Sequence, residues 1–507
     1  MQQSHSEEYD IVFAGGGAAG CLIAGRLAAA DPSLKILVVE AGPHTLDDPA
    51  HVQVARFMSH MVPGSKTEKF IISNPSDQLG GRVAIVPAGQ CVGGGSSVNF
   101  GMYNRAAASE FNDWESKFNN PGWGSQDLIP LLKKTETYEI DPNAETHGQS
   151  GPLNVSYAGA IPNVCQDFLD VGQKYDTERK FTRDPNDLTT VNAYARWPKW
   201  INGKTGRRSD VPHAFIYSQQ HNKNLRVLAG FFVRRVIILG DTAEIEKWSA
   251  QFTKDGSGTM LSNGLEAGVK FRPNEDELRT IGPAFTAKWK SFYVDYPDRP
   301  IMWYGGASFG FGLVEEPSNE KYFAVGHWIS HPSALGHVHI TSGEDPSANP
   351  DFTPRYLEHE EDMEQHVFGY KRDREFARRM ACFRGEYPPR QPVFPPGSAA
   401  AVNELPVPVD MNAPDIVYTK EDDEAIRDFV RKNVGTTWHA LGTCSMMPRD
   451  DGGVVDSHLN VYGVKSLKVA DLSIAPSNVN GNTYSTALVI AEKAAVIIAQ
   501  ELGILNV

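Results

Sequence analysis

Three groups of residues in this sequence have the types and spacing that chemistry needs. The first is Gly15-x-Gly17-x-x-Gly20, with Glu40 twenty residues further on. Gly15 permits a tight turn, Gly17 lets backbone approach a pyrophosphate, and Gly20 lets a helix pack closely on a strand, while the helix N-terminus offers N–H groups to the anion. Glu40 is placed to accept hydrogen bonds from an adenosine ribose. The second group is Gly89 to Tyr103, centred on Gly93-Gly94-Gly95-Ser96-Ser97. Such a backbone-rich surface can cradle a phosphate or lie against a flat ring. The third is Thr436 to Cys444, which sets His439 beside Trp438 in a Gly/Thr-rich stretch. A neutral imidazole there is a candidate general base. The fingerprint by itself suits FAD and NAD equally.

These residues need elements to hold them. Ile11-Val12-Phe13-Ala14 is a short apolar run, as in a strand buried on both faces, and Cys21 to Ala30 carries small and apolar residues suited to a helix against a sheet. Asp31-Pro32-Ser33 breaks that helix, and Ile36-Leu37-Val38-Val39 forms a second strand ending in Glu40. Near the other end, Leu467 to Asp471 reads as a strand, Ser473 to Asn482 as a loop and Thr483 to Leu502 as a closing helix. A chain of 507 residues has room for two or three domains. Its net charge of −14 argues against nucleic acid or an anionic membrane as the main partner, since both reward a basic face. The five cysteines form no C-x-x-C pair, so neither a zinc site nor a disulfide framework is expected. Met1 to Glu8 is polar and acidic where a signal peptide would need a basic, then apolar, start. The longest apolar run, Ala487 to Ala499, is interrupted by Glu492 and Lys493, so no membrane span is expected, and the expected address is cytoplasmic. The terminal Leu505-Asn506-Val507 is not a peroxisomal tripeptide of the S-K-L type.

In this order, the three blocks resemble the glucose–methanol–choline (GMC) oxidoreductase family, and within it the fungal alcohol (methanol) oxidase branch. The second block is similar to the family's first signature, ending here Gly93-Gly94-Gly95-Ser96-Ser97-Val98-Asn99, and the third to its C-terminal catalytic pattern, Trp438-His439 with Asn482-Thr483-Tyr484 further on. Thr205-Gly206-Arg207-Arg208-Ser209 and Gly336 to Ser342 also look like the alcohol oxidases. The resemblance implies an α/β, Rossmann-like FAD domain assembled from 1–155, 225–240 and 435–507. A substrate domain from 156–224 and 241–434, with an antiparallel sheet and helices, would cap the flavin. It also implies oxidation of a primary alcohol to an aldehyde, with hydride passing to flavin N5 and electrons going on to O2, as H2O2, or to another acceptor. His439 matches the catalytic base and Asn482 its partner. Gly15, Gly17, Gly20, Glu40, Gly93, Gly95, Ser96, Asn99, Met102, Val233, Asp471 and Thr483 are the expected FAD contacts. Val98 stands where some relatives carry a flavin-tethering histidine, so FAD should be non-covalent. Alcohol oxidases often form homo-oligomers, but no segment of this sequence marks an interface.

The chain also departs from the family. After Phe231 to Ile238, the family's second signature, Gly-Thr-x-x-Ser-Pro with its following turn, is absent, and Ile237 to Asp241 runs directly into the helix-like Ala243 to Phe252. A smaller gap falls between Pro406 and Asp415. Such excisions should expose apolar surface on the FAD domain. They keep open a second reading, a GMC-fold protein of secondary metabolism with dehydrogenase, lyase or no redox activity. A third, an NAD(P)-linked dehydrogenase, is disfavoured by the second glycine cluster and the C-terminal block. Gly306-Ala307-Ser308-Phe309-Gly310 spells a nucleophile elbow, but Phe311 to Tyr322 lacks the helical period an elbow needs. His337 and His339 share one strand face without a nearby carboxylate or cysteine, so no metal site is expected there. Trp197, Trp200 and Trp438 are candidates for an apolar pocket wall. Glu358 to Glu364 and Lys371 to Arg379 read as solvated helix faces.

Overall fold

The computed structural model describes residues 8–230, 262–310, 321–402 and 407–507, apart from positions 63, 160, 344, 346, 347 and 506. Val233, the strand-like Phe231 to Ile238, the helix-like Ala243 to Phe252 and most of Phe311 to Tyr322 lie outside the described residues.

The glycine fingerprint folds as the sequence leads one to expect. Strand Ile11–Ala14 pairs in parallel with Ile36–Glu40, and the helix between them spans Ala18–Ala30, three residues longer at its start than the sequence reading. Leu225–Ala229 joins in parallel on the far side of Ile36–Glu40, which makes the latter the central strand of a three-stranded sheet. Helix Ala18–Ala30 is then sandwiched between this sheet and the closing helix Tyr484–Leu502. Its small residues make the approach close: a Cβ on Gly25 would come 2.4 Å from the carbonyl oxygen of Phe215. Leu22, Ile23, Leu27, Leu488, Val489 and Ile490 are all buried in the resulting core. At about 1.5–3 kcal/mol for each large apolar side chain removed from water, this helix pair is a principal source of the domain's stability.

The other edge of that sheet is open. Among the described residues no strand pairs with Ile11–Ala14 on its outer side, and Val12 is 58% exposed. Leu467 to Asp471, expected as a strand, forms only an isolated bridge between Lys468 and Asn460. A β-strand requires a neighbour to satisfy its backbone groups, and among the described residues this segment has none beyond that bridge. Among the described residues Val12 and half-exposed Leu467 are apolar side chains left open to solvent on this side.

The second sheet runs Ala324–Ile329, Met302–Ala307, Leu265–Phe271, Ala193–Arg196 and Lys180–Phe181 in spatial order, antiparallel except for the last pair. Its two faces do different work, because successive side chains alternate. Met302 and Tyr304 pack with Phe168 and Phe376 of the helices Asn163–Lys174 and Glu360–Arg379. Trp303 and Ala307, on the opposite face, join Met102, Trp197 and Leu265 against the signature loop.

The helix over Lys371 to Arg379 is real, but its charged residues are not a solvated face. Arg372 pairs with Asp176 at 2.5 Å and Glu277 at 2.9 Å, Arg374 with Glu386 at 2.5 Å, and Arg379 with Glu375, all with the arginines largely buried. Within the acidic run, Asp362 and Glu364 are buried too, accepting from the backbone N–H groups of Ser333 and Phe285. Isolated charges this deep would be costly; paired and hydrogen-bonded they are tolerated.

Candidate active site

A single cavity of about 2930 Å3 is shared by all three blocks. That exceeds the roughly 300–1,000 Å3 of a pocket for one small molecule, in part because it takes in the open sheet edge at Val12 and the half-exposed Leu467. Gly15, Gly17, Gly20 and Glu40 line it, as do Gly95, Ser96, Asn99 and Met102 and, from the third block and the closing loop, His439, Asp471, Asn482 and Thr483.

At the fingerprint, Gly15 takes φ +105°, a conformation open to glycine at little cost. A Cβ on Gly20 would come 2.5 Å from the Gly15 carbonyl oxygen, so this position must be bare for helix and turn to close. A Cβ on Gly17 or Gly95 would meet nothing within 4 Å, so both present bare backbone to open space. Gly17 caps the helix without a side-chain hydrogen bond, leaving its first N–H groups without a side-chain acceptor. Glu40 is buried and accepts from Gly16 N at 2.7 Å and Gly42 N at 2.8 Å. Burial raises its pKa while those amides pull it down. Its carboxylate thus braces the turn as well as edging the cavity.

The signature loop is tied to the fingerprint by Gly93 N donating to Gly16 O at 2.7 Å. Gly93 itself does not reach the cavity: a Cβ there would strike Ser97 and Pro212, so the residue is buried structure and not a contact surface. Ser96 lines the wall and donates to Gly93 O at 2.7 Å. Asn99 turns its Oδ1 inward, accepting from Gly101 N and Arg208 Nη1, both at 2.8 Å. Asp471 lies at the rim with Oδ1 accepting from Ser473 N at 2.9 Å, and Thr483 is buried at the start of the closing helix. Val233 lies outside the described residues.

His439 and Asn482 come together although 43 positions separate them. Asn482 Nδ2 lies 3.4 Å from His439 Nε2, and Asn482 Oδ1 is buried without a hydrogen-bond partner. The loop that carries Asn482 turns at Gly481, φ +88°, over the side chain of Asn104. Burial lowers the His439 pKa to about 4, so the ring is neutral at pH 7. Around this pair the wall is aromatic. Phe100 meets Trp438 edge-on at 5.0 Å between centroids, and Trp197 and Trp328 close the side toward the second sheet. Trp200, the third tryptophan expected there, packs in the first domain's core against Tyr103 and Tyr484 instead. His337 and His339 stack at 5.1 Å on one strand face, as their alternation requires. Sequence reasoning missed Asn104, Glu110 and Trp328; an acid at a helix start and a tryptophan in a strand carry no local signal that marks them.

The cavity, its glycine lining and a neutral histidine leave room for a dinucleotide with a ring beside a group able to accept a proton. The residues fit FAD: bare glycine backbone faces the cavity at both glycine clusters, a helix N-terminus aims at it, and an orphaned amide oxygen sits at the His439 end.

Comparison with known proteins agrees. The N-terminal GMC oxidoreductase model matches residues 9–261 and the C-terminal one residues 332–491. An alcohol oxidase of Candida boidinii is 36% identical over 640 aligned positions, covering 98% of this chain and 96% of the relative; alcohol oxidase 2 of Komagataella phaffii is 34% identical with the same coverage. The alignment is longer than the chain of 507 residues, so these relatives carry stretches with no counterpart here. A formate oxidase structure from Aspergillus oryzae superposes with a TM-score of 0.77 at 18% identity, covering 98% of this chain and 99% of that one, a likeness of fold. With two family models in register and a third of all aligned residues shared with alcohol oxidases along nearly its whole length, this chain belongs to the GMC oxidoreductase family.

Proposed function

We propose that the protein is an FAD-dependent oxidase of primary alcohols. The observation that carries this reading is the meeting of His439 Nε2 and Asn482 Nδ2, 3.4 Å apart, on the wall of the cavity that the glycine clusters line. A neutral His439 accepts the hydroxyl proton of the alcohol, and Asn482 Nδ2 donates a hydrogen bond to the oxygen as it gains negative charge. Phe100, Trp197, Trp328 and Trp438 give the wall an apolar surface for the alcohol's chain. Gly17, Gly95 and the N-terminus of helix Ala18–Ala30 would hold the diphosphate, and Glu40 the ribose. FAD, bound non-covalently, would supply a hydride acceptor at N5 and, with O2 as the final two-electron acceptor, the chemistry that yields H2O2. The binding domain in this proposal is 1–155, 225–240 and 435–507, and the cap 156–224 and 241–434, except that Trp200, Val211, Phe215 and Ile216 pack into the core of the binding domain and belong with it.

The test is the visible spectrum of the purified protein before and after anaerobic addition of a panel of primary alcohols. Flavin bands that bleach, and H2O2 released on admitting air, support the proposal. A protein that stays colourless with added FAD overturns it and favours the second reading, a GMC-fold protein without redox activity, for which the open edge at Ile11–Ala14 speaks.

A further inference from the structure

The loop bearing Asn482 is held by a residue from a distant part of the chain. Glu110, in the first turn of helix Ala108–Ser116, is 2% exposed, and three hydrogen-bond donors and one ion-pair neighbour surround its carboxylate. Asn480 N reaches Oε1 at 3.0 Å and Asn480 Nδ2 reaches Oε2 at 2.9 Å, so both oxygens grip one residue. Ala107 N donates to Oε2 at 2.8 Å, which fixes the carboxylate to its own helix start. His331 Nε2, from the cap-side chain, lies 2.9 Å from Oε1 as an ion-pair neighbour, with its ring N–H turned off the line to the oxygen. Burial pushes the Glu110 carboxyl up, but His331, Ala107 and Asn480 together outweigh that and leave its pKa below the ordinary range.

The geometry downstream is short. Asn480 is followed by Gly481, whose left-handed φ of +88° seats it on Asn104, then Asn482, then Thr483 at the start of the closing helix. Upstream, Asn478 Nδ2 donates to Ser330 O at 2.8 Å. Asn482 is therefore suspended between a helix N-terminus and the Glu110 grip, with one glycine as its only slack. A shift of about 1 Å in such a group can cost roughly a hundredfold in rate.

We infer that Glu110 is a positioning residue: its bidentate hold on Asn480 sets the approach of Asn482 to His439. This rests on the alcohol-oxidation reading for its kinetic consequence, but its structural content stands apart from turnover. Glu110 touches neither His439 nor the cavity; it acts through the loop. An ordinary helix-capping acid would need only the Ala107 bond, and the two further donors from Asn480 on a buried carboxylate exceed that role.

Two variants test this, Glu110→Ala and Asn480→Ala, the second leaving the helix cap intact. In stopped-flow reduction of the FAD-loaded enzyme by a primary alcohol, Glu110→Ala should lower the limiting rate roughly tenfold to a hundredfold with KM within about twofold. Asn480→Ala should lower it less, and the double variant should be no slower than Glu110→Ala alone. Crystal structures of the variants should show Asn482 Nδ2 withdrawn beyond hydrogen-bond reach of His439 Nε2. A lowered melting temperature with an unchanged reduction rate per bound flavin, or an unmoved Asn482, overturns the inference. Should Glu110→Ala not fold, Asn480→Ala decides alone. Should wild type reduce with no alcohol, the functional reading fails, and the Asn482 position in the two crystal structures still decides the positioning.

Discussion

Asn482 presents its amide nitrogen to His439 Nε2 across 3.4 Å, while its amide oxygen is buried without a partner. In the tautomer with Nε2 unprotonated, the form a base requires, that nitrogen accepts from this amide until a substrate hydroxyl takes the amide's place. His439→Ala should lower the rate of flavin reduction by roughly 10²- to 10⁴-fold, the usual worth of a positioned proton acceptor. Cofactor content, read from the visible spectrum after gel filtration, should stay that of wild type. Equal losses in rate and bound flavin would mean that His439 supports the fold instead.

The acid limb of the reaction should lie near pH 4, since burial lowers the His439 pKa to about 4. Reduction rates measured from pH 4 to 8 check this. A limb near 6.5, where an exposed histidine titrates, would show that water reaches the ring freely.

The same physics makes stability fall in mild acid. Burial depresses His60 and His366 to about 3 as well, so the folded chain holds these rings neutral where the unfolded chain protonates them. Their contribution is full above about pH 6.5 and is lost progressively as pH falls toward 3. Glu68, raised to about 7 by burial, works in the opposite direction between its ordinary range and pH 7. His366→Gln should therefore flatten the decline of melting temperature between pH 7 and 4.5, and Glu68→Gln should steepen it. Calorimetry of the two variants tests both signs.

Gly481→Ala should destabilise the protein, because a Cβ there would lie 1.4 Å from Asn104 Nδ2 and φ is +88°. The backbone penalty alone is about 1–2 kcal/mol. Pairing it with Asn104→Gly should recover the steric part but not the backbone part. Denaturant midpoints of the single and double variants separate the two.

How much of this was legible in the sequence depends on how local each signal is. The fingerprint was, because strand, glycines, helix and acid follow one another within thirty residues and each element agrees with the next. His439 and Asn482 were legible through family resemblance, not through periodicity. The charge-rich Lys371 to Arg379 misled, because Arg372 finds Asp176 and Glu277 some hundred to two hundred positions away. A charge pattern along one helix cannot disclose partners at that range. Leu467 to Asp471 has a strand's composition but, among the described residues, no sheet to join, and composition does not report neighbours. Glu110 was invisible for the same reason: its meaning lies in Asn480, 370 positions on.

Helix Ala18–Ala30 finds its cover in Tyr484–Leu502, and Arg26 reaches Glu492 at 2.5 Å across that contact. The opening strand and helix therefore emerge from the ribosome with their main apolar partner still untranslated. At roughly 5–20 residues per second, that wait lasts tens of seconds. During synthesis the glycine fingerprint must be shielded by something other than its own fold, so the yield of native protein should respond to chaperone supply more than to final stability.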